Sequence, residues 1–195
     1  MTNNDSGICI LFKGFAGVST DDSADSSKSG SETGMDLLAA KIGSAGMGLE
    51  VHVHDHEVQA DAVKAVVRYL KQHPKGPVIV IGHSFGGDSA VEATETMGDK
   101  GINVDLLIQI DSVGVGDETK PSNAKRGINI YSTSGEGVDG ARHVAGSANC
   151  GLASTSHTEI DTDKRTWDII LFELRNLLGL TTGGDPWAAC DEKSG

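Results

Sequence analysis

Apolar residues gather into five short runs: ICILFKG from Ile8, LEVHVH from Leu49, PVIVIGH from Pro77, VDLLIQID from Val104 and INIY from Ile128. Most are continuous rather than alternating, the pattern of strands covered on both faces in a parallel sheet. Between and after them the apolar positions take a helical period. Val63, Val66, Val67 and Leu70 recur at i, i+3, i+4 and i+7, with Pro74 and Gly76 following as stop signals. Ala90, Ala93, Thr94 and Met97 repeat that spacing, and Trp167, Ile170, Leu171, Leu174 and Leu178 form the strongest stripe. A weaker helix covers Met35 to Ala45. Strands alternating with helices predict an α/β fold, a three-layer sandwich with a mostly parallel five-stranded sheet and right-handed crossovers. The 195 residues fit one well-buried domain, 1–195.

Two segments break the pattern. GVSTDDSADSSKSGSETG, residues 17–34, is rich in Ser, Asp and Gly and reads as a mobile acidic loop. It follows the first strand, which puts it beside an acyl or leaving-group pocket if the carboxyl edge of the sheet carries a site. The tail from Thr181, TTGGDPWAACDEKSG, reads as flexible.

Composition narrows the partners. Sixteen basic against 28 acidic residues leave a formal net charge of −12, which argues against nucleic acid or an anionic membrane surface. No apolar run approaches the roughly 20 residues that span a bilayer, and MTNNDSG lacks the basic and apolar segments of a secretory signal. Cys9, Cys150 and Cys190 are odd in number and widely spaced, so the simpler expectation is three reduced thiols in a cytoplasmic protein. No CxxC motif points to structural zinc. His52, His54 and His56 could share a strand face, but a metal site needs a fixed geometry and a further ligand, so solvated or packed histidines are expected. Asp21, Asp22 and Asp25 lack the spacing and closing Glu of a calcium loop.

The chemistry centres on VIVIGHSFGGDSAVEA, residues 78–93, where Ser84 stands between Gly82 and Gly86. The GxSxG pattern falls directly after an apolar strand and directly before a helical stripe. On such a turn the serine hydroxyl is pushed out at the carboxyl end of the sheet, and flanking residues without a Cβ let strand and helix approach. The following helix N-terminus points its free N–H groups at the same spot.

This segment resembles the nucleophile elbow of the α/β-hydrolase family. The likeness extends over about residues 7–180, in a trimmed form similar in size to the small lidless esterases and cutinase-like members; the family's usual first two strands are absent. The family orders its triad Ser, Asp/Glu, His, and the resemblance implies Ser84, Asp111 and His157. His157 lies in the loop feeding the last helix, where the family places its base, with His143 as the other candidate. Asp111 ends a strand and is rigidly held, which suits a residue that orients an imidazole; Asp139, in a glycine-rich loop, is the alternative acid. His83 is expected to be packed rather than basic. The implied oxyanion hole is formed by the N–H groups of Phe85 and Phe15, with Gly14 allowing close approach. The strand order implied puts the first run beside the serine strand, at a switch point of the sheet.

The function so implied is a serine hydrolase cleaving carboxylic esters through an acyl-enzyme, with a small-molecule or acyl-ester substrate and no cofactor. The alternatives are a thioesterase or acyltransferase with the same residues, or a catalytically silent binding module of the same fold.

Overall fold

The first apolar run forms β1, Ile8–Phe12, which is buried at all five positions. A strand apolar on both faces needs two covering layers. The computed structural model, which describes residues 7–14, 33–134, 142–180 and 183–194, supplies both. Cys9 and Leu11 face α1 (Gly34–Ser44) and α4 (Lys164–Leu177), through Met35, Leu38 and Ile42 and through Ile169, Ile170 and Leu174. Ile8, Ile10 and Phe12 face α2 (Gln59–Gln72) and α3 (Phe85–Asp99), through Val63, Val66 and Tyr69 and through Ala90, Ala93 and Met97. Trp167, the first residue of the C-terminal stripe, packs against the core on the α1 and α4 side but is only partly buried. Its indole N–H donates to the Asp161 carbonyl at 2.6 Å.

The remaining strands are β2 (Glu50–His54), β3 (Val78–His83), β4 (Val104–Ile110), β5 (Ala124–Ser132), β6 (Ala148–Leu152) and β7 (Glu192–Ser194). They form one seven-stranded sheet in the order β2-β1-β3-β4-β5-β6-β7, parallel except for β7. The five-strand expectation is therefore corrected. β6 reads ANCGL, with buried Asn149 and a glycine in place of an apolar run, and β7 is three residues of a polar edge. The chain leaves β1 for β2 over one face and leaves β3 for β4 over the other. The carboxyl ends of β1 and β3 thus flank a switch point, where such sheets bind ligands.

Residues 17–32 of the acidic segment lie outside the described residues. Its last two, Thr33 and Gly34, begin α1 rather than close a loop. Asp36 N–H donates to Thr33 Oγ1 at 3.3 Å and Thr33 N–H to Asp36 Oδ2 at 3.0 Å, a reciprocal cap.

The cysteine expectation is overturned. Cys150 on β6 and Cys190 form a disulfide, and Cys9 is the buried free thiol, its pKa pushed up by desolvation. Disulfides persist in oxidising surroundings, so the cysteines no longer speak for a cytoplasmic location. No helix among the described residues is long and apolar enough to cross a membrane. The expected loose tail is also tied down from residue 183 to 194. Trp187, in a short 3₁₀ helix (Pro186–Ala189), donates its indole N–H to Glu173 Oε1 at 2.7 Å. Tyr131 O–H donates to Glu192 Oε2 at 2.9 Å. These tethers are covalent and polar, so they leave no apolar period to read.

Cross-linking residues 40 apart restricts the unfolded chain by about 4 kcal/mol in the loop-entropy account. Cys190→Ser should therefore lower the unfolding free energy by about 2–4 kcal/mol, read from urea denaturation. An unchanged midpoint under non-reducing conditions would refute it.

Candidate active site

β3 delivers Ser84 into an unusual backbone conformation, φ 57° and ψ −130°. Side chains disfavour that region by roughly 1–3 kcal/mol, and it persists only where surrounding bonds over-determine it. Here they do. Ser84 N–H donates to the Ile110 carbonyl at 3.1 Å, and the Ser84 carbonyl accepts from Gly87 N–H at 2.8 Å and Val113 N–H at 3.1 Å. A Cβ on Gly82 would lie 1.9 Å from the Gly86 carbonyl oxygen, and one on Gly86 would lie 2.3 Å from the Phe12 oxygen. Both contacts are with backbone, which cannot swing aside. The spacing of the glycines around the serine thus has a steric cause.

Ser84 is itself buried. Its Oγ lies 2.9 Å from His157 Nε2, and His157 Nδ1 lies 2.7 Å from Asp111 Oδ2. A carboxylate oxygen accepts, so the imidazole proton resides on Nδ1 and Nε2 is left as the acceptor facing the serine hydroxyl. Asp111 follows directly on β4 with φ 42°. Its N–H donates to the Ile130 carbonyl at 2.7 Å, and its Oδ1 accepts from Ser132 N–H at 2.9 Å. Both carboxylate oxygens are therefore occupied, one by β5 and one by the imidazole. Three residues separated by 27 and 46 positions in sequence thus meet at the carboxyl edge of the sheet.

Of the other sequence candidates, Phe85 opens α3, so its N–H belongs to the first turn, whose N–H groups have no partner inside the helix. Phe15 and Asp139 lie outside the described residues. Gly14, just before Phe15, packs against the serine: a Cβ there would sit 2.8 Å from Ser84 Cβ and 3.3 Å from its Oγ. His143, the alternative base, lies 3.5 Å from the Asn149 amide nitrogen instead. His52 bonds Glu50 Oε1 at 2.7 Å and stacks on His54, while His56 lies against Phe85.

Three residues make contacts at the site that had no signal in the sequence. Ser132 N–H holds Asp111, a consequence of strand register. His83, read as a packed side chain, is buried but also bonded. Its Nε2 lies 2.9 Å from the His157 carbonyl oxygen and its Nδ1 lies 3.4 Å from Asp161 Oδ2. Burial lowers the His83 pKa, opposed by the Asp161 charge, and burial raises that of Asp161, opposed by His83. Finally, Asp191 in the tail accepts from Ala153 N–H at 2.6 Å, at the start of the loop carrying His157.

One acid beside the site is strongly perturbed. Asp88 stands in the first turn of α3, where a helix N-terminus favours the charged form. Burial and then the charges of Glu92, Asp117, Glu118 and Glu95 outweigh it, and the pKa rises to about 6.

Two consequences can be measured. Gly86→Ala should lower the unfolding free energy by about 1–3 kcal/mol or more, because the new methyl meets main-chain oxygens of β1 and its exit; urea denaturation of an undiminished variant would contradict this. The native state binds the Asp88 proton more tightly than the unfolded state does, so this contribution to stability is full below pH about 4 and is lost as pH rises through about 6. Asp88→Asn should match the wild type in acid and exceed it in urea midpoint at neutral and alkaline pH, and parallel pH profiles would refute the shift.

No family model matches the chain, and no curated protein matches its sequence. Solved structures do. A cutinase-like protein from Cryptococcus sp. superposes with a TM-score of 0.62 at 16% identity, over 91% of this chain and 97% of that one. A lidless α/β serine hydrolase from Xanthomonas campestris gives 0.53 at 17% identity, over 91% and 84%. The thioesterase domain of the nocardicin cluster, solved as a covalent fluorophosphonate complex, gives 0.54 at 16%, over 92% and 96%. With its parallel sheet, its switch point and the serine turn after β3, the chain has the fold of the small α/β-hydrolases.

Proposed function

We propose that the protein is a serine hydrolase that cleaves carboxylic esters through an acyl-enzyme, with Ser84 as nucleophile, His157 as base and then acid, and Asp111 as the group that orients His157. The observation that carries this reading is the continuous relay from Ser84 Oγ through His157 Nε2 and Nδ1 to Asp111 Oδ2, at 2.9 and 2.7 Å. An isolated serine hydroxyl is a poor nucleophile at neutral pH and needs a base within such reach. The bond to His157 favours Asp111 over Asp139 as the acid.

In this scheme Ser84 Oγ attacks the ester carbonyl carbon while its proton passes to His157 Nε2. The carbonyl π pair moves onto oxygen, and the Phe85 N–H, with Phe15 N–H as the second donor, stabilises the oxyanion. Collapse expels the alcohol, which leaves with the proton from His157. Water then repeats the sequence: His157 takes its proton, the acid departs and Ser84 is regenerated. Asp111 keeps the imidazole in the Nδ1–H tautomer and stabilises the imidazolium. The residues assigned roles in this scheme require no metal or organic cofactor, and the substrate is a small acyl ester.

Thioester cleavage by the same residues is the second reading, favoured by the likeness to a thioesterase domain. A paired series of oxygen and thiol esters of equal acyl length separates the two by kcat/KM.

The deciding experiment is a fluorophosphonate probe with mass spectrometry. One labelled residue is expected, Ser84, with labelling lost in Ser84→Ala and ester turnover lowered about 10⁴-fold in Asp111→Asn. A wild-type protein that neither labels nor turns over esters would be a silent member of the fold, and the proposal would fall.

A further inference from the structure

The proposed base stands on the weakest support of the three. Ser84 and Asp111 each directly follow a buried strand, whereas His157 belongs to the irregular stretch between β6 and α4. A displacement of about 1 Å in a reacting group can cost on the order of 10²-fold in rate, so such a residue needs its main chain fixed as well as its ring.

We propose that His83, the residue before the nucleophile, is a positioning residue that fixes the His157 main chain, with Asp161 holding the His83 ring in turn. This inference rests on the reading of His157 as the base. A carbonyl oxygen only accepts, so the 2.9 Å contact between His83 Nε2 and the His157 oxygen places a proton on Nε2. The other ring nitrogen then faces Asp161 Oδ2 at 3.4 Å, within ion-pair distance. Gly34 at the start of α1 packs against this carboxylate, so closely that a Cβ there would lie 2.3 Å from the carboxyl carbon. Asp161 is also four residues past His157 in the same connection, so one imidazole holds this segment at two points.

The two imidazoles lie side by side, with centroids 5.1 Å apart and planes tilted by 34°. Each has its own carboxylate, Asp111 for His157 and Asp161 for His83. Because His83 is also the neighbour of Ser84 in sequence, the bond ties the base's main chain directly to the turn that carries the nucleophile. The distance across which the serine proton travels is thereby set from both ends.

The test compares side chains by reach. A glutamine amide nitrogen can occupy nearly the place of His83 Nε2, an asparagine amide falls short, and leucine has no donor. His83→Leu and His83→Asn should lower kcat for an ester about 10–100-fold with KM little changed, and His83→Gln should restore kcat to within a few-fold of wild type. A readout without substrate is the low-field ¹H resonance of His157 Nδ1–H in the Ser84→Ala background, assigned by its loss in Asp111→Asn. It should broaden by exchange in His83→Asn and sharpen again in His83→Gln. Should His83→Leu fail to fold, the Gln and Asn pair decides alone. Equal kcat and equal spectra for Gln and Asn would overturn the positioning role. Absence of fluorophosphonate labelling in the wild type would instead remove the hydrolase reading, and the resonance would still report on the His83 bond.

Discussion

The main-chain oxygen of Phe12 and the α-carbon of Gly86 are pressed together at the carboxyl edge of the sheet, with no room for a methyl group between them. That contact fixes how α3 departs from β3 and how closely it passes the end of β1. With Gly82 closing on the Gly86 carbonyl, it leaves Ser84 the positive-φ corner as its place on the chain. The strain there is of the order of 1–3 kcal/mol, small beside the burial of the two apolar layers that hold β1 and β3 in register. Local strain is thus supported by global packing, and what results is a hydroxyl held against the exit of β1.

How much of this could be read in the sequence follows from which interactions leave a periodic trace. Continuous apolar runs identified β1, β3, β4 and the apolar half of β5, because burial on both faces demands them, while the half-exposed edge strand β2 was read from the run LEVHVH. The Gly-x-Ser-x-Gly spacing was legible because a steric requirement for no Cβ admits one residue type. β6 was not legible: its inward Asn149 is paired with Asn129 and capped by the Val144 N–H, so hydrogen bonds take the place of apolar character. β5 was seen only in part, since Lys125 and Arg126 at its start are exposed and charged. The disulfide escaped because cysteines 40 residues apart carry no signal of their own proximity.

The site divides along the same line. Ser84 and Asp111 sit where strands end, and a strand end can be located from pattern. His157 was placed by its position before the last helix, through the family likeness, since a loop residue has no period. Its surroundings could not be anticipated at all. His83 could be read only as a neighbour of the serine, and Asp161 as one of 28 acidic residues. Their pairing depends on how the connection from β6 to α4 folds back over β3, which is a tertiary fact.

That connection explains why the chain beyond α4 is tied down. Ala153 N–H at its start is held by Asp191, and the Ala153 carbonyl accepts from Arg165 Nη2 at 2.9 Å, while Arg165 also engages Asp163. Further along, the Thr155 carbonyl accepts from Ser132 Oγ at 2.5 Å, next to the N–H that holds Asp111. The tail brings Asp191 into place because the neighbouring Cys190 is bonded to β6 and β7 pairs along that strand. A loop gains order only from contacts that offset its conformational entropy, roughly 1–2 kcal/mol per residue. This one has few apolar side chains with which to do so. Polar tethers from β5, from α4, from the cross-linked tail and from His83 take that part, and they converge on the segment whose imidazole must stay within 3 Å of a serine.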